Sequence, residues 1–128
     1  MILVAEDNEV NQMVIEFTLG GAGLEHTIVS DGQMAVQQFL SIRPALILMD
    51  ISMPKMNGFE ATQAIRELET ETGGHTPIIA LTAHALNGDK ENCFEAGMDD
   101  YMSKPISPDA LTVKILSWLE KGETCQQA

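Results

Sequence analysis

Apolar residues fall along this chain in two kinds of pattern. Ile2-Leu3-Val4-Ala5, Leu46-Ile47-Leu48-Met49 and the run from Pro77 to Thr82 are apolar without alternation. Such runs suit strands buried on both faces, as in the interior of a parallel sheet. His26-Thr27-Ile28-Val29 reads as a weaker strand near an edge, and Met98 to Met102 as a fifth strand. Between these runs the apolar spacing turns helical. Val10, Met13, Val14 and Phe17 make one apolar stripe, followed by Ala35, Val36, Phe39 and Leu40, then by Ala61, Ile65 and Leu68. A short irregular helix from Asn87 to Ala96 is interrupted by Gly88 and ended by Gly97. In the last helix Leu111, Ile115, Trp118 and Leu119 face inward.

The punctuation agrees with this division. Asn8 is placed to cap the first helix, and Gly20-Gly21-Ala22-Gly23 ends it. That glycine cluster follows a helix rather than a strand and lacks dinucleotide-loop spacing, so it is a helix stop. Asp31-Gly32 turns into the second helix, Pro44 closes the next connection, and Pro54 and Gly58 bracket a loop. Ser107 caps the last helix, with Pro108 at its first position and Asp109 in its first turn, and Gly122 is expected to stop it. Five strands alternating with five helices predict an α/β fold, a doubly wound parallel sheet covered on both faces. One domain is expected over residues 1–121, with a polar, frayed tail over 122–128.

Charge narrows the function classes. The 128 residues carry 19 acids against seven Lys and Arg, a net charge of -12. Nucleic acid and anionic lipid are therefore disfavoured as partners, since both call for a basic patch. A bound cation or a partly basic partner fits better. Glu67, Glu69 and Glu71 read as solvating charges at a helix end. Cys93 and Cys125 are too few and too scattered for a disulfide framework or zinc site, and are expected to be reduced. No signal peptide precedes Ile2 and no apolar run approaches transmembrane length, so a cytoplasmic setting is expected, or the cytoplasmic part of a membrane-bound protein. The eight methionines read as core filler.

What changes the picture is how the buried strands end. Glu6 and Asp7 follow the first, Asp50 ends the third, Thr82 ends the fourth, and Lys104 follows the fifth. In an open α/β sheet these carboxyl ends share one edge, where ligands bind. Taken singly, Glu6-Asp7 is an acidic helix start favoured by the helix dipole, Asp50 a turn cap, Thr82 a strand end and Lys104 a surface lysine. Together they make another chemistry. Converging carboxylates call for a counter-charge, and Mg²⁺ with oxygen ligands and retained waters supplies it. A lysine and a hydroxyl suit the remaining oxygens of a phosphoryl group, and an Asp carboxylate can itself attack phosphorus.

Four segments, ILVAEDNEVNQ, LILMDISMPKMNGFEA, PIIALTAHA and MDDYMSKPI, resemble in order the signature segments of two-component response-regulator receiver domains. The resemblance spans about Ile2 to Leu119. It implies a flavodoxin-like (βα)5 fold with strand order 2-1-3-4-5, which puts Asp7 and Asp50 on adjacent strands. It implies Asp50 as phosphoacceptor and Mg²⁺ (or Mn²⁺) held by Asp7, Asp50, the backbone carbonyl of Ser52, and Glu6 directly or through water. Lys104 would pair with Asp50 and then with a phosphoryl oxygen, its bond to Pro105 being cis. Thr82 would move to the phosphoryl group, with Ala83 leaving room, and Tyr101 would turn inward as the aromatic switch. The surface of the fourth helix, fifth strand and last helix would change with it. Ser52 and His84 would border the path of an attacking water and tune hydrolysis; His84 alone reads as a solvated loop residue, and Tyr101 alone as a core aromatic.

The implied donor is a phosphohistidine on a histidine kinase or a histidine phosphotransfer protein, and the chain is expected as a monomer or weak dimer. The DNEVNQ and TAHA segments look most like receivers of hybrid histidine kinases. Three alternatives compete. A phosphatase of the haloacid-dehalogenase type would place an acid two residues after its nucleophile, where this chain has Ser52. An FMN carrier would need a hydroxyl- and glycine-rich loop after the first strand, where Glu6-Asp7-Asn8 stands. A receiver-shaped scaffold that is never phosphorylated would have no use for the full set of Glu6, Asp7, Asp50, Thr82 and Lys104.

Overall fold

The computed structural model describes residues 1–51, 56–82, 90–103 and 106–127. Strands and helices alternate throughout: β1 (Ile2–Ala5), α1 (Glu9–Gly21), β2 (His26–Val29), α2 (Gly32–Ile42), β3 (Leu46–Asp50), α3 (Gly58–Thr72), β4 (Ile78–Thr82), α4 (Lys90–Ala96), β5 (Asp100–Ser103) and α5 (Pro108–Gln127). All strand pairs are parallel, in the order β2-β1-β3-β4-β5. This is the doubly wound, flavodoxin-like arrangement expected from the sequence. Every residue of β1, β3 and β4 is buried. They are the strands written as unbroken apolar runs, because both of their faces meet helices.

The pleat sends alternate side chains into two cores. Leu3, Ala5, Ile47, Met49, Ile78 and Ala80 join Phe39 of α2, Ile65 of α3 and Cys93 of α4. Ile2, Val4, Leu46, Leu48, Ile79 and Leu81 join Ile15 and Leu19 of α1 and Leu111 and Ile115 of α5. Local signals set where the helices begin. Asn8 Oδ1 accepts from the amides of Val10 and Asn11, and Asp31 Oδ1 accepts from Met34. Asn57 and Glu60 form a reciprocal capping box at the start of α3.

Several expectations change. Of the stripe expected on α1, Val14 packs against the core, but Val10, Met13 and Phe17 are 67%, 69% and 80% exposed. Ile15 and Leu19, with Thr18, make the buried face instead. Both sets recur at helical spacing, and the one that points inward has Val14 at its margin. Leu40 of α2 is also largely exposed. Strand β5 begins at Asp100, because the Met98 amide still bonds back to Cys93 O and the ladder opens with Asp99 N on Ile78 O. Helix α4 is described from Lys90 only, so Gly88 lies outside the described residues. Helix α5 continues through Gly122 to Gln127. One glycine costs a helix only about 1 kcal/mol, and Leu119, Glu120, Lys121, Gln126 and Gln127 around it are good helix formers.

Glu69 is not a solvated charge. It is buried, and its carboxylate accepts from Arg66 Nη1 at 2.6 Å and from Thr76 N at 2.6 Å. Arg66 also donates to Gly97 O, Thr76 O and Asp99 Oδ2. Asp99 in turn accepts from Ile78 N and contacts His75 Nε2. This network ties the second half of α3 to the entrances of β4 and β5, at the sheet edge opposite Asp50.

Candidate functional site

Glu6 follows directly on β1 and Asp50 ends β3. The two strands are neighbours in register, with Ala5 opposite Met49. The acid pair and Asp50 are therefore delivered to one edge by the sheet itself. Carboxylate oxygens of Glu6, Asp7 and Asp50 all lie within 4.8 Å of one another. Glu6 and Asp50 are buried while Asp7 is exposed. Oxygens bound to one Mg²⁺ at about 2.0–2.1 Å stand up to about 4.2 Å apart, so small side-chain movements bring this cluster onto a single ion. Oxygen donors alone, with one side open, are what a hard divalent cation requires.

Thr82 is buried at the end of β4, one residue beyond Leu81, the partner of Asp50 across the ladder. Ser103 is opposite Thr82 on β5. Tyr101, two residues earlier, is half-buried against the core and meets Phe94 edge-on, with ring centroids 6.4 Å apart. Ser52, Ala83, His84, Lys104 and Pro105 lie outside the described residues. The structure thus brings together Glu6, Asp7, Asp50 and Thr82 from the sequence-derived set, with Tyr101 on the adjoining strand.

The backbone around Asp50 is held closely. Ile51 N donates to Leu81 O at 3.2 Å, and Gly58 N donates to Ile51 O at 2.9 Å. A Cβ on Gly58 would run into the carbonyl oxygen of Asp50 and stand 2.9 Å from Ile51 Cα. Gly32, at the start of α2, donates to Met56 O at 3.1 Å, and a Cβ there would run into that same oxygen. Both glycines let a helix start press on the segment that follows Asp50. Neither role is written locally in the sequence, since each depends on a partner from elsewhere in the chain.

Farther along β5, Asp100 faces α5. Its Oδ2 accepts from Lys114 Nζ and Trp118 Nε1, both at 2.9 Å. Burial alone would raise the Asp100 carboxyl. The bonds from Trp118, Lys114 and the Tyr101 amide, with the Lys114 charge, outweigh it and hold the group below the ordinary aspartate value. The sequence reading placed Trp118 inside but gave it no partner.

A family model described as the response regulator receiver domain matches residues 2–116. The chain is 46% identical over 132 residues to hybrid signal transduction histidine kinase I of Dictyostelium discoideum, covering 96% of this chain and 8% of that protein. It thus spans less than a tenth of that relative's length. Among solved structures, the receiver domain of the sensor histidine kinase PA1611 from Pseudomonas aeruginosa PAO1, with a magnesium ion in its active-site cleft, superposes with a TM-score of 0.85. It shares 45% identity, over 93% of this chain and 96% of that one. The receiver domain of Ssk1 from Saccharomyces cerevisiae, solved with the histidine phosphotransfer protein Ypd1, gives 0.87 at 32% identity, over 99% and 90%. The chain belongs to the response regulator receiver domain family.

Proposed function

We propose that this domain is a phosphoacceptor switch that takes a phosphoryl group onto Asp50 from a phosphohistidine donor. The observation that carries the reading is the meeting of Glu6, Asp7 and Asp50 within 4.8 Å at the edge where Thr82 also ends its strand. An Asp50 carboxylate oxygen forms the new bond to phosphorus as the N–P bond of the donor breaks and the imidazole departs with the electron pair. Asp7, Asp50 and the Ser52 carbonyl, with Glu6 directly or through water, are the residues that would hold Mg²⁺. When bound, the ion neutralises charge on the phosphoryl oxygens. Lys104 and Thr82 serve the remaining oxygens, and Ser52 and His84 border the approach of water.

The added charge of about -1.5 to -2 then biases two existing arrangements of Thr82 and Tyr101, and α4, β5 and α5 carry the difference to a partner. The domain promotes only its own phosphorylation and slow dephosphorylation. Among the described residues no helix is long and apolar enough to cross a membrane. The domain is read as cytoplasmic, or as the cytoplasmic part of a membrane-bound hybrid kinase.

The exposed residues of α1 support docking of a protein donor. Helix α1 starts two residues after Asp7, so Val10, Met13 and Phe17 run outward from the mouth of the site. Exposed apolar residues aligned in this way mark an interaction surface, and this face is read as the docking surface for the phosphohistidine donor.

Mass spectrometry after incubation with acetyl phosphate and Mg²⁺ tests the reading. One phosphoryl group, sensitive to hydroxylamine and absent from Asp50→Asn, is expected. Turnover without label would favour the phosphatase, and no reaction the inert scaffold. With a phosphorylated histidine phosphotransfer protein as donor, Phe17→Ser should slow labelling about tenfold or more while leaving the acetyl phosphate rate unchanged. Equal slowing with both donors would remove α1 from the docking surface.

A further inference from the structure

Gln12 is not among the residues that the acidic site uses directly, yet it closes the turn that carries two of them. Its backbone amide donates to Asn8 O at 2.9 Å. Its side-chain Nε2 reaches back over the same turn to the carbonyl oxygen of Glu6, and also lies 3.5 Å from Ser30 Oγ at the end of β2. One residue of α1 thereby holds both ends of the link from β1 to the helix. The Glu6 amide is fixed as well, donating to Val29 O at 3.0 Å.

The bonded atom matters. Glu6 C=O and Asp7 N–H belong to one planar peptide unit, and the Cα atoms of both acids lie in that plane. Fixing the carbonyl direction fixes how the Glu6 and Asp7 side chains leave the turn, hence whether their oxygens converge with Asp50. Without the donor this hold on the plane is lost, and the acids, which repel one another, gain a route apart.

We infer that Gln12 is a positioning residue for the cation site: its side-chain N–H holds the Glu6–Asp7 peptide plane so that both carboxylates face Asp50. The inference rests on the proposed metal site, and it also makes a claim that holds without metal. Gln12 is part-exposed at helix spacing, so an amphipathic reading of α1 leaves it as a surface residue.

The test compares Gln12→Met, which keeps length and helix propensity but has no donor, with Gln12→Lys, which restores an N–H donor. Two readouts are taken: Mg²⁺ affinity by calorimetry, and hydrogen exchange of the Asp7 amide in the metal-free protein. Gln12→Met should weaken Mg²⁺ about tenfold, in line with other residues that orient metal ligands. It should also speed Asp7 exchange while leaving the metal-free Tm and exchange in β3 unchanged. Gln12→Lys should recover most of both losses. Unchanged Asp7 exchange in Gln12→Met, or Gln12→Lys no better than Gln12→Met, would overturn the positioning role. If the wild type bound no Mg²⁺ while Asp7 exchange still responded, the metal reading would fall and the hold on the peptide plane would stand.

Discussion

At Asp100, burial and hydrogen bonding pull in opposite directions, and the winner sets a pH dependence. Desolvation favours the neutral acid, but Trp118 Nε1, Lys114 Nζ and the Tyr101 amide all donate to the carboxylate. The folded-state value therefore lies below the unfolded one, near ~3.9. A group depressed in this way adds stability that is fully present above the unfolded value. It is lost as pH falls through the folded one. Asp100→Asn should therefore lower the urea midpoint at pH 7, by a stability of about 1 kcal/mol or less for so exposed a pair. The gap to wild type should close as the pH drops below about 4. Urea titrations across that range check this, and a gap that widened in acid would contradict the assignment. Gly58 is a residue-scale constraint of another kind: its missing Cβ is what allows α3 to begin against the carbonyl of Asp50.

Among the elements, α3 and α1 show what one-dimensional patterns leave out. In α3 the spacing of Ala61 and Ile65 did locate the buried face. Arg66 was not singled out by the sequence because its main partners, Asp99 and the carbonyl of Gly97, come from 33 and 31 residues away. The nearest hint in the sequence was local: one arginine in a helix end otherwise full of glutamates, with Glu69 at the i,i+3 position. In α1 Val10, Met13 and Phe17 point to solvent while Val14, Ile15 and Leu19 meet the core, and periodicity cannot say which of two helical stripes meets the sheet. Arg66→Ala would strand Glu69 and Asp99, both largely buried, without their main cation. Truncating one partner of such a network costs about 3–5 kcal/mol when fully buried. With Arg66 itself 18% exposed, about 2–3 kcal/mol is expected. Denaturant unfolding measures the loss. Labelling of Asp50 by acetyl phosphate, at the far edge of the sheet, should persist in the folded fraction.

For the whole molecule, the buried strands and the site at their ends were legible in the pattern itself, whereas the strand order came from the resemblance to receiver domains. A strand buried on both faces is written as an unbroken apolar run, and a charge at its end stands out against it. That logic located Glu6, Asp7, Asp50 and Thr82. It was silent on Gly32 and Gln12, whose partners Met56 and Glu6 are reached only after the chain has folded. The same arrangement carries a stability penalty, because a protein of net charge -12 gathers three acids at one point, two of them buried. Glu6 and Asp7 stay adjacent when the chain unfolds but Asp50 parts from them, so the repulsion between Asp50 and that pair acts on the native state alone. Asp7→Asn should therefore raise the Tm of the metal-free protein. A gain of about 1 kcal/mol corresponds to roughly 4 °C in a domain of this size. Added NaCl should shrink the gain only in part, since Glu6 and Asp50 are buried and poorly screened. With Mg²⁺ at a hundred times its dissociation constant the wild type should gain about 2.7 kcal/mol. Asp7→Asn, short of one ligand, should gain far less, so the order of the two proteins reverses. Thermal scans in EDTA and in Mg²⁺ decide the matter: a metal-free Asp7→Asn no more stable than wild type would mean that the acids do not repel, and Mg²⁺ shifts of equal size would mean that Asp7 does not hold the ion.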